Sequence, residues 1–301
     1  VPTEFKELFK IDYLEHTWSY DERKLFRAEK LYTARNYQAF IETFRENFPD
    51  FVYFCPFRMK EIVSVPLSSV QRVYVPRECL KRLVGLEGKD DLQKASVDLV
   101  RILSDESGVG LVDFGVHGSV ALGMHSSKSD IDLAVYGGQN FRRLEFAIDL
   151  LVKAGKLDYI FNNKLDVARR YKGRYIGKVF MYNAVRGSEE VKSVYGVFKY
   201  NVVKPVSFRC HVVDDGEAMF RPAVYRIGDY LPVDSSSKLD EGMVPEFLVS
   251  MIGCYRNVAR VNDFVEVSGM LERVENVKSS EVFYQVVVGT GKNEDEHIWL
   301  L

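Results

Sequence analysis

Two short stretches of this chain hold side chains that could act together. The first is His117-Gly118-Ser119-Val120-Ala121-Leu122-Gly123. The second, separated from Ser119 by ten residues, is Asp130-Ile131-Asp132-Leu133. The Gly-Ser pair follows an apolar run and is expected to turn a strand into a short helix. Backbone N–H groups at such a turn bind anions, and glycine lets the anion come close to the main chain. The Ser119 hydroxyl can add one more hydrogen bond. Asp130 and Asp132 stand two residues apart where an apolar strand begins. Their side chains therefore share one face, while Ile131 and Leu133 point to the core. Carboxylates crowded on one face repel, and a divalent cation relieves the repulsion. Oxygen ligands from carboxylates and substrate phosphates are what Mg²⁺ prefers. The chemistry that fits is metal-assisted transfer of a phosphoryl-type group.

Several elements must position these residues. An amphipathic helix is expected over 91–104, with Leu92, Ala95, Leu99, Val100 and Leu103 on its apolar side. A glycine-bounded strand at 111–116, a short helix, a strand at 130–136 and a helix at 141–154 follow in β-α-β-α order. Upstream, Leu25, Phe26, Leu31, Phe40, Ile41, Phe44 and Phe48 suggest two short helices within 22–48, stopped by Pro49. Strands are expected at 51–54 and 62–75, with Pro66 marking an edge or bulge in the second. The stretch GLEGKDD at 85–91 is the expected first boundary. Downstream, strands are expected at 179–185, 194–203 and 206–213. From 217 the alternation of apolar and polar residues predicts a small, mostly antiparallel, barrel-like domain, with solvated loops at 235–238 and 292–296. The fold class expected is α+β. It comprises an N-terminal mixed α/β region (1–84), a core with a mixed sheet and flanking helices (85–216), and a β-rich C-terminal domain (217–301).

The motif resembles that of the nucleotidyltransferase superfamily that includes DNA polymerase β and the CCA-adding enzymes. Its pattern is Gly, then Gly or Ser, nine to thirteen residues, then Asp, an apolar residue, and Asp or Glu. Gly118-Ser119 and Asp130-Ile131-Asp132 satisfy it, as do the G-S-x-A-x-G extension and Ser129 before the first Asp. The resemblance covers about 90–155, and the chain also looks similar to archaeal predicted nucleotidyltransferases. It implies that Asp130 and Asp132 bind two Mg²⁺ ions. It further implies that Gly118 and Ser119 hold the β- and γ-phosphates of a nucleoside triphosphate, that Ser129 is a further nucleotide-binding residue, and that an NMP passes to a hydroxyl acceptor with release of pyrophosphate. The acceptor is left open among an RNA 3′ end, a protein hydroxyl and a small molecule.

Some features depart from that pattern or lie outside it. The position before Gly118 is normally apolar and is His117 here, either packed and neutral or a donor to phosphate. A third carboxylate normally joins the metal site. Asp214 is the expected residue, Asp158 is the alternative, and absence of any third acid would favour a catalytically silent nucleotide- or RNA-binding protein on the same fold. Between 164 and 178 stand six basic residues and one acid, Asp166. Arg170 and Arg174 are the expected nucleotide contacts there, with Arg169 and Lys172 beside them on the rim of the same cleft. Tyr171 and Tyr175 suggest a helical face that Gly173 weakens.

Composition sets the remaining bounds. The 301 residues are 47% hydrophobic and 28% charged with a net charge of −2, values of a folded protein without bulk affinity for nucleic acid. No apolar run reaches the ~18 residues of a membrane helix, so a soluble, cytoplasmic protein with no membrane partner is expected. Cys55, Cys79, Cys210 and Cys254 lie far apart in sequence and read as buried thiols. No Walker-type phosphate loop, zinc-ligand spacing or G-x-S-x-G elbow occurs.

Overall fold

The computed structural model describes residues 1–30, 33–192 and 194–301. Cα proximity divides the chain into two compact units, Val1–Gln71 with Ser193–Leu301, and Arg72–Lys192.

The first unit opens with a small antiparallel hairpin, β1 (Trp18–Tyr20) and β2 (Arg23–Leu25). Part of the expected 22–48 helical stretch is thus a strand, and Leu31 lies outside the described residues. One helix follows, α1 (Ala34–Asn47), capped by the Thr33 hydroxyl, which accepts from the Asn36 amide. It ends just before Pro49, where a proline disfavours continued helix. β3 (Val52–Cys55) pairs with β4 (Lys60–Val63). The expected strand at 62–75 stops at Val63, because a 3-10 turn begins at Leu67 directly after Pro66.

The second unit contains α2 (Pro76–Gly85), α3 (Asp91–Ser107), β5 (Phe114–Val116), the one-turn α4 (Gly118–Leu122) and β6 (Ile131–Tyr136). After these come α5 (Gly138–Lys153), β7 (Asp158–Tyr159), α6 (Lys164–Arg169), β8 (Lys172–Tyr175) and β9 (Lys178–Val185). Helix α2 is an addition to the expected elements and opens with Pro76 in its first turn. Helix α3 starts at a capping box in which Asp90 and Gln93 satisfy each other's amides. The five strands form one mixed sheet in the order β5-β6-β9-β8-β7, with only β6 and β9 parallel.

The remaining strands belong to the first unit: β10 (Phe198–Glu217), β11 (Ala223–Pro232), β12 (Phe247–Ser250), β13 (Phe264–Asn276), β14 (Val282–Val288) and β15 (His297–Leu300). The two strands expected at 194–203 and 206–213 are one bulged strand, β10. It pairs with both β11 and β13 and so closes a five-stranded barrel, β10-β11-β12-β14-β13. Val206, Phe208, Cys210 and Val212 alternate into its interior. Burial pushes the Cys210 thiol up to about 12. The four cysteines are all free, with Cys254 only partly buried.

The units do not follow the expected boundaries. Helix α2 and the 85–91 stretch belong with the five-stranded sheet, because Gly115 of β5 lets the α2 backbone approach closely. A Cβ there would lie 2.6 Å from the Pro76 carbonyl carbon. The expected boundary at 216/217 falls inside β10, whose hydrogen bonds tie it to the barrel. The two expected solvated loops each hold a buried anchor. Ser237 accepts from the Ser207 amide, and Glu296 accepts from the Gly289 and Thr290 amides. No helix among the described residues is long and apolar enough to cross a membrane.

Candidate active site

The five-stranded sheet has two unlike faces, separated by the two-residue period of its strands. Ile131, Leu133 and Val135 of β6 and Phe180 and Tyr182 of β9 are buried on one face. Helix α5 packs there, with the Phe141 and Tyr182 rings 5.5 Å apart. The alternate residues form the other face. On it lie Asp130, directly before β6, and Asp132, both half-buried.

The turn comes to the same place. Val116 pairs with Leu133, so His117 stands opposite Asp132, and its N–H donates to the Asp132 carbonyl at 3.0 Å. The next residue, Gly118, has φ +63° and lies against the Asp132 side chain; a Cβ there would overlap the Asp132 carboxylate. Only glycine meets both demands. The Ser119 hydroxyl makes no internal hydrogen bond, and Asp130 has no hydrogen bond or ion pair, among the described residues.

Ser129 works inside the loop. Its hydroxyl accepts from the Ser126 amide and its N–H donates to the Ser126 carbonyl, each at 3.0 Å. The Lys178 ammonium donates to the Ser127 carbonyl at 3.0 Å. This compact turn fixes where Asp130 emerges. Farther back, His125 Nε2 lies 2.7 Å from Asp90, the cap of α3. Burial raises the Asp90 carboxyl, but the Gln93 amide and the His125 ring outweigh it and hold the group below its ordinary value.

The His117 Nε2 accepts from the Asn183 side-chain amide at 3.4 Å. Strand β9 presents Val179, Met181 and Asn183 on this face, with Met181 directly beside Asp132. It carries no carboxylate there. Asp158 sits on β7, three strands from β6, or about 14 Å at the usual strand spacing, too far to share an ion with Asp132. Asp214 belongs to β10 of the other unit, where its Oδ1 accepts from the Gly216 amide at 2.6 Å. No group of three His, Cys, Asp or Glu among the described residues could hold a metal ion.

The basic segment splits between the faces. It forms α6, β8 and the start of β9 rather than one helix, so Tyr171 and Tyr175 do not share a helical face. A two-residue turn at Ile176-Gly177, both at positive φ, joins β8 to β9. Lys172 and Arg174 share the face of Asp132, because Lys172 pairs with Met181 and Arg174 with Val179. Arg169 is buried and stacks 3.7 Å from the Tyr171 ring. Arg170 turns to the helix-covered side, where it pairs with Asp149 of α5 at 3.1 Å. There the Tyr159 hydroxyl, pushed up by burial and by Asp149, donates to the same carboxylate. The alternation Lys172-Gly173-Arg174 ahead of the Ile176-Gly177 turn is the sequence signal for strand β8.

Residues 98–186 match the family model described as the nucleotidyltransferase domain. The match runs from within α3 to the residue after β9, and so contains both halves of the motif. An uncharacterised protein of Methanocaldococcus jannaschii is 24% identical over 212 residues, which are 63% of this chain and 58% of that protein. The chain thus aligns with little more than half the length of that relative. No solved structure matches the chain. The stretch 98–186 is thus similar to nucleotidyltransferase domains.

Proposed function

We propose that this protein moves a nucleoside monophosphate from a nucleoside triphosphate to a hydroxyl acceptor, in the manner of the polymerase β-like enzymes. The observation that carries the reading is the seat of Asp132 against Gly118, which joins the anion-binding turn and the acidic strand into one site. The donor set suits Mg²⁺: two carboxylates on one open face, with substrate phosphates completing the shell. Asp130 and Asp132 would hold it, and it would supply charge neutralisation at the phosphates and a lowered pKa for the attacking hydroxyl.

The chain's own residues do the rest. Ser119 and the N–H groups of the turn beginning at Gly118 bind the β- and γ-phosphates. Ser129 keeps the loop closed so that Asp130 and Asp132 hold their spacing. The acceptor oxygen bonds to the α-phosphorus as the bond to the bridging oxygen breaks. The hydroxyl proton passes to solvent and pyrophosphate leaves. Incubation with each α-labelled NTP, Mg²⁺ and total RNA or lysate tests this. Label transfer that Asp132→Asn abolishes supports it, and no transfer with any NTP removes it.

A second reading has its own observation. The face of β9 beside Asp132 offers Met181 and Asn183 instead of a third acid. That arrangement favours a protein that binds nucleotide without turning it over. Saturable Mg²⁺-dependent ATP binding without transfer to any acceptor would select it.

A further inference from the structure

A donor held by Gly118, Ser119 and Asp132 lies on the β5 side of β6. An acceptor must then reach the same carboxylates from the β9–β8 side. The row running that way is Asp132, Met181, Lys172, one residue per strand. At the usual strand spacing Lys172 stands about 10 Å from Asp132, Cα to Cα. Arg174 follows two residues along β8 on the same face.

These two cations differ from their neighbours. Arg169 is stacked and buried, Arg170 is paired with Asp149, and Lys178 is tied to the Ser127 carbonyl. Lys172 and Arg174 make no side-chain hydrogen bond or ion pair among the described residues. Arg174 is exposed and Lys172 half-buried. The acid of this flank is Asp158, opposite Arg174 on the edge strand β7, and no ion pair joins them. Met181 and Val179 lie between the cations and the acids, half-buried, as an apolar floor.

We propose that the acceptor is the 3′ end of a single-stranded nucleic acid, laid over Met181 and held through its phosphates by Lys172 and Arg174. This rests on the transfer reading above and supplies the acceptor class it leaves open. Unpaired cations suit a polyanion. A neutral small hydroxyl compound gives them nothing to bind, and a sugar or base can rest on Met181 and Val179. The 3′ oxygen attacks the α-phosphorus of the NTP, the chain grows by one nucleotide, and pyrophosphate carries away the displaced charge.

The test compares the full chain with its Lys172→Gln/Arg174→Gln variant. Binding of a fluorescent single-stranded oligouridylate is followed by anisotropy over a salt series, and Mg–ATP binding is measured separately. Loss of two phosphate contacts should weaken oligonucleotide binding about tenfold or more and flatten the log–log salt slope by roughly 1.4, at about 0.7 per contact. Mg–ATP affinity and melting temperature should stay as they are. No oligonucleotide binding by the unsubstituted chain, an unchanged slope in the variant, or an equal loss of Mg–ATP affinity would each overturn the proposal. Labelling of a protein hydroxyl but not of RNA would do the same. Asp132→Asn separates the two readings: it should keep oligonucleotide binding while losing transfer. Transfer that survives Asp132→Asn counts against the transfer reading, whereas the double variant alone decides the acceptor.

Discussion

Asp130 and Asp132 in one unit, and Asp214 and Asp215 in the other, are closely spaced acid pairs at strand ends. Asp214 accepts from the Gly216 amide at 2.6 Å, and Asp215 lies 3.8 Å from the Arg260 guanidinium. Asp214 thus serves its own turn, and Asp215 pairs with a distant arginine. Asp130 has no such partner among the described residues, and Asp132 faces a glycine whose missing side chain leaves room at its carboxylate. In sequence the pairs look alike. What separates Asp130 from Asp214 is that a neighbouring amide already satisfies the Asp214 carboxylate, whereas Asp130 has no partner among the described residues.

The largest test of that contrast is on activity. Asp132→Asn should lower transfer at least about a thousandfold, roughly 4 kcal/mol of transition-state stabilisation, because a carboxylate at the transferring phosphate is lost. Asp214→Asn should leave the labelled-NTP assay within about threefold. Equal losses in both would erase the distinction.

Next comes the glycine beside each pair. Gly118→Ala combines positive φ with overlap on Asp132, and should cost about 1–3 kcal/mol. Thermal unfolding would show it as a drop of several degrees. Gly216→Ala meets only the Asp214 Oδ1 at 3.0 Å without positive φ, and should shift the melting temperature far less. A stable Gly118→Ala protein would mean that the turn is not held against Asp132.

A third acid, Asp90, sharpens the comparison because its role is to cap a helix. Asp90→Ala should destabilise by about 1 kcal/mol, seen in denaturant unfolding. Its carboxyl titrates below the ordinary value when folded. Its contribution is therefore fully present above the ordinary carboxylate pKa and fades as pH falls through the folded one. In Asp90→Ala that acid-side loss should shrink. The smallest effect belongs to Asp215→Asn. Its pair with Arg260 is long and the guanidinium is 40% exposed, so no more than about 1 kcal/mol is expected. A larger loss would show that Asp215 contributes beyond its pair with Arg260.

The motif was legible because its signals are local. Strand alternation puts Asp130 and Asp132 on one face, and the Gly-Ser turn announces itself by type. Helices α3 and α5 and strand β9 were legible from apolar period. Helix α2 was missed, since its place depends on Gly115, thirty residues after the helix ends. Tyr171 and Tyr175 match a helical spacing, but pairing of β8 with β9 overrides it.

Sequence alone determined the local motif: a Gly-Ser pair, ten intervening residues, and two aspartates on one face of a strand. Only tertiary structure decided which distant residues share that site. Strand pairing set Met181 rather than a third acid beside Asp132, and brought Lys172 and Arg174 to its face. An ion pair with α5 turned the adjacent Arg170 to the other side. The reason is that a strand's alternation assigns faces within one segment, while register across strands is fixed by hydrogen bonds between segments far apart in the chain.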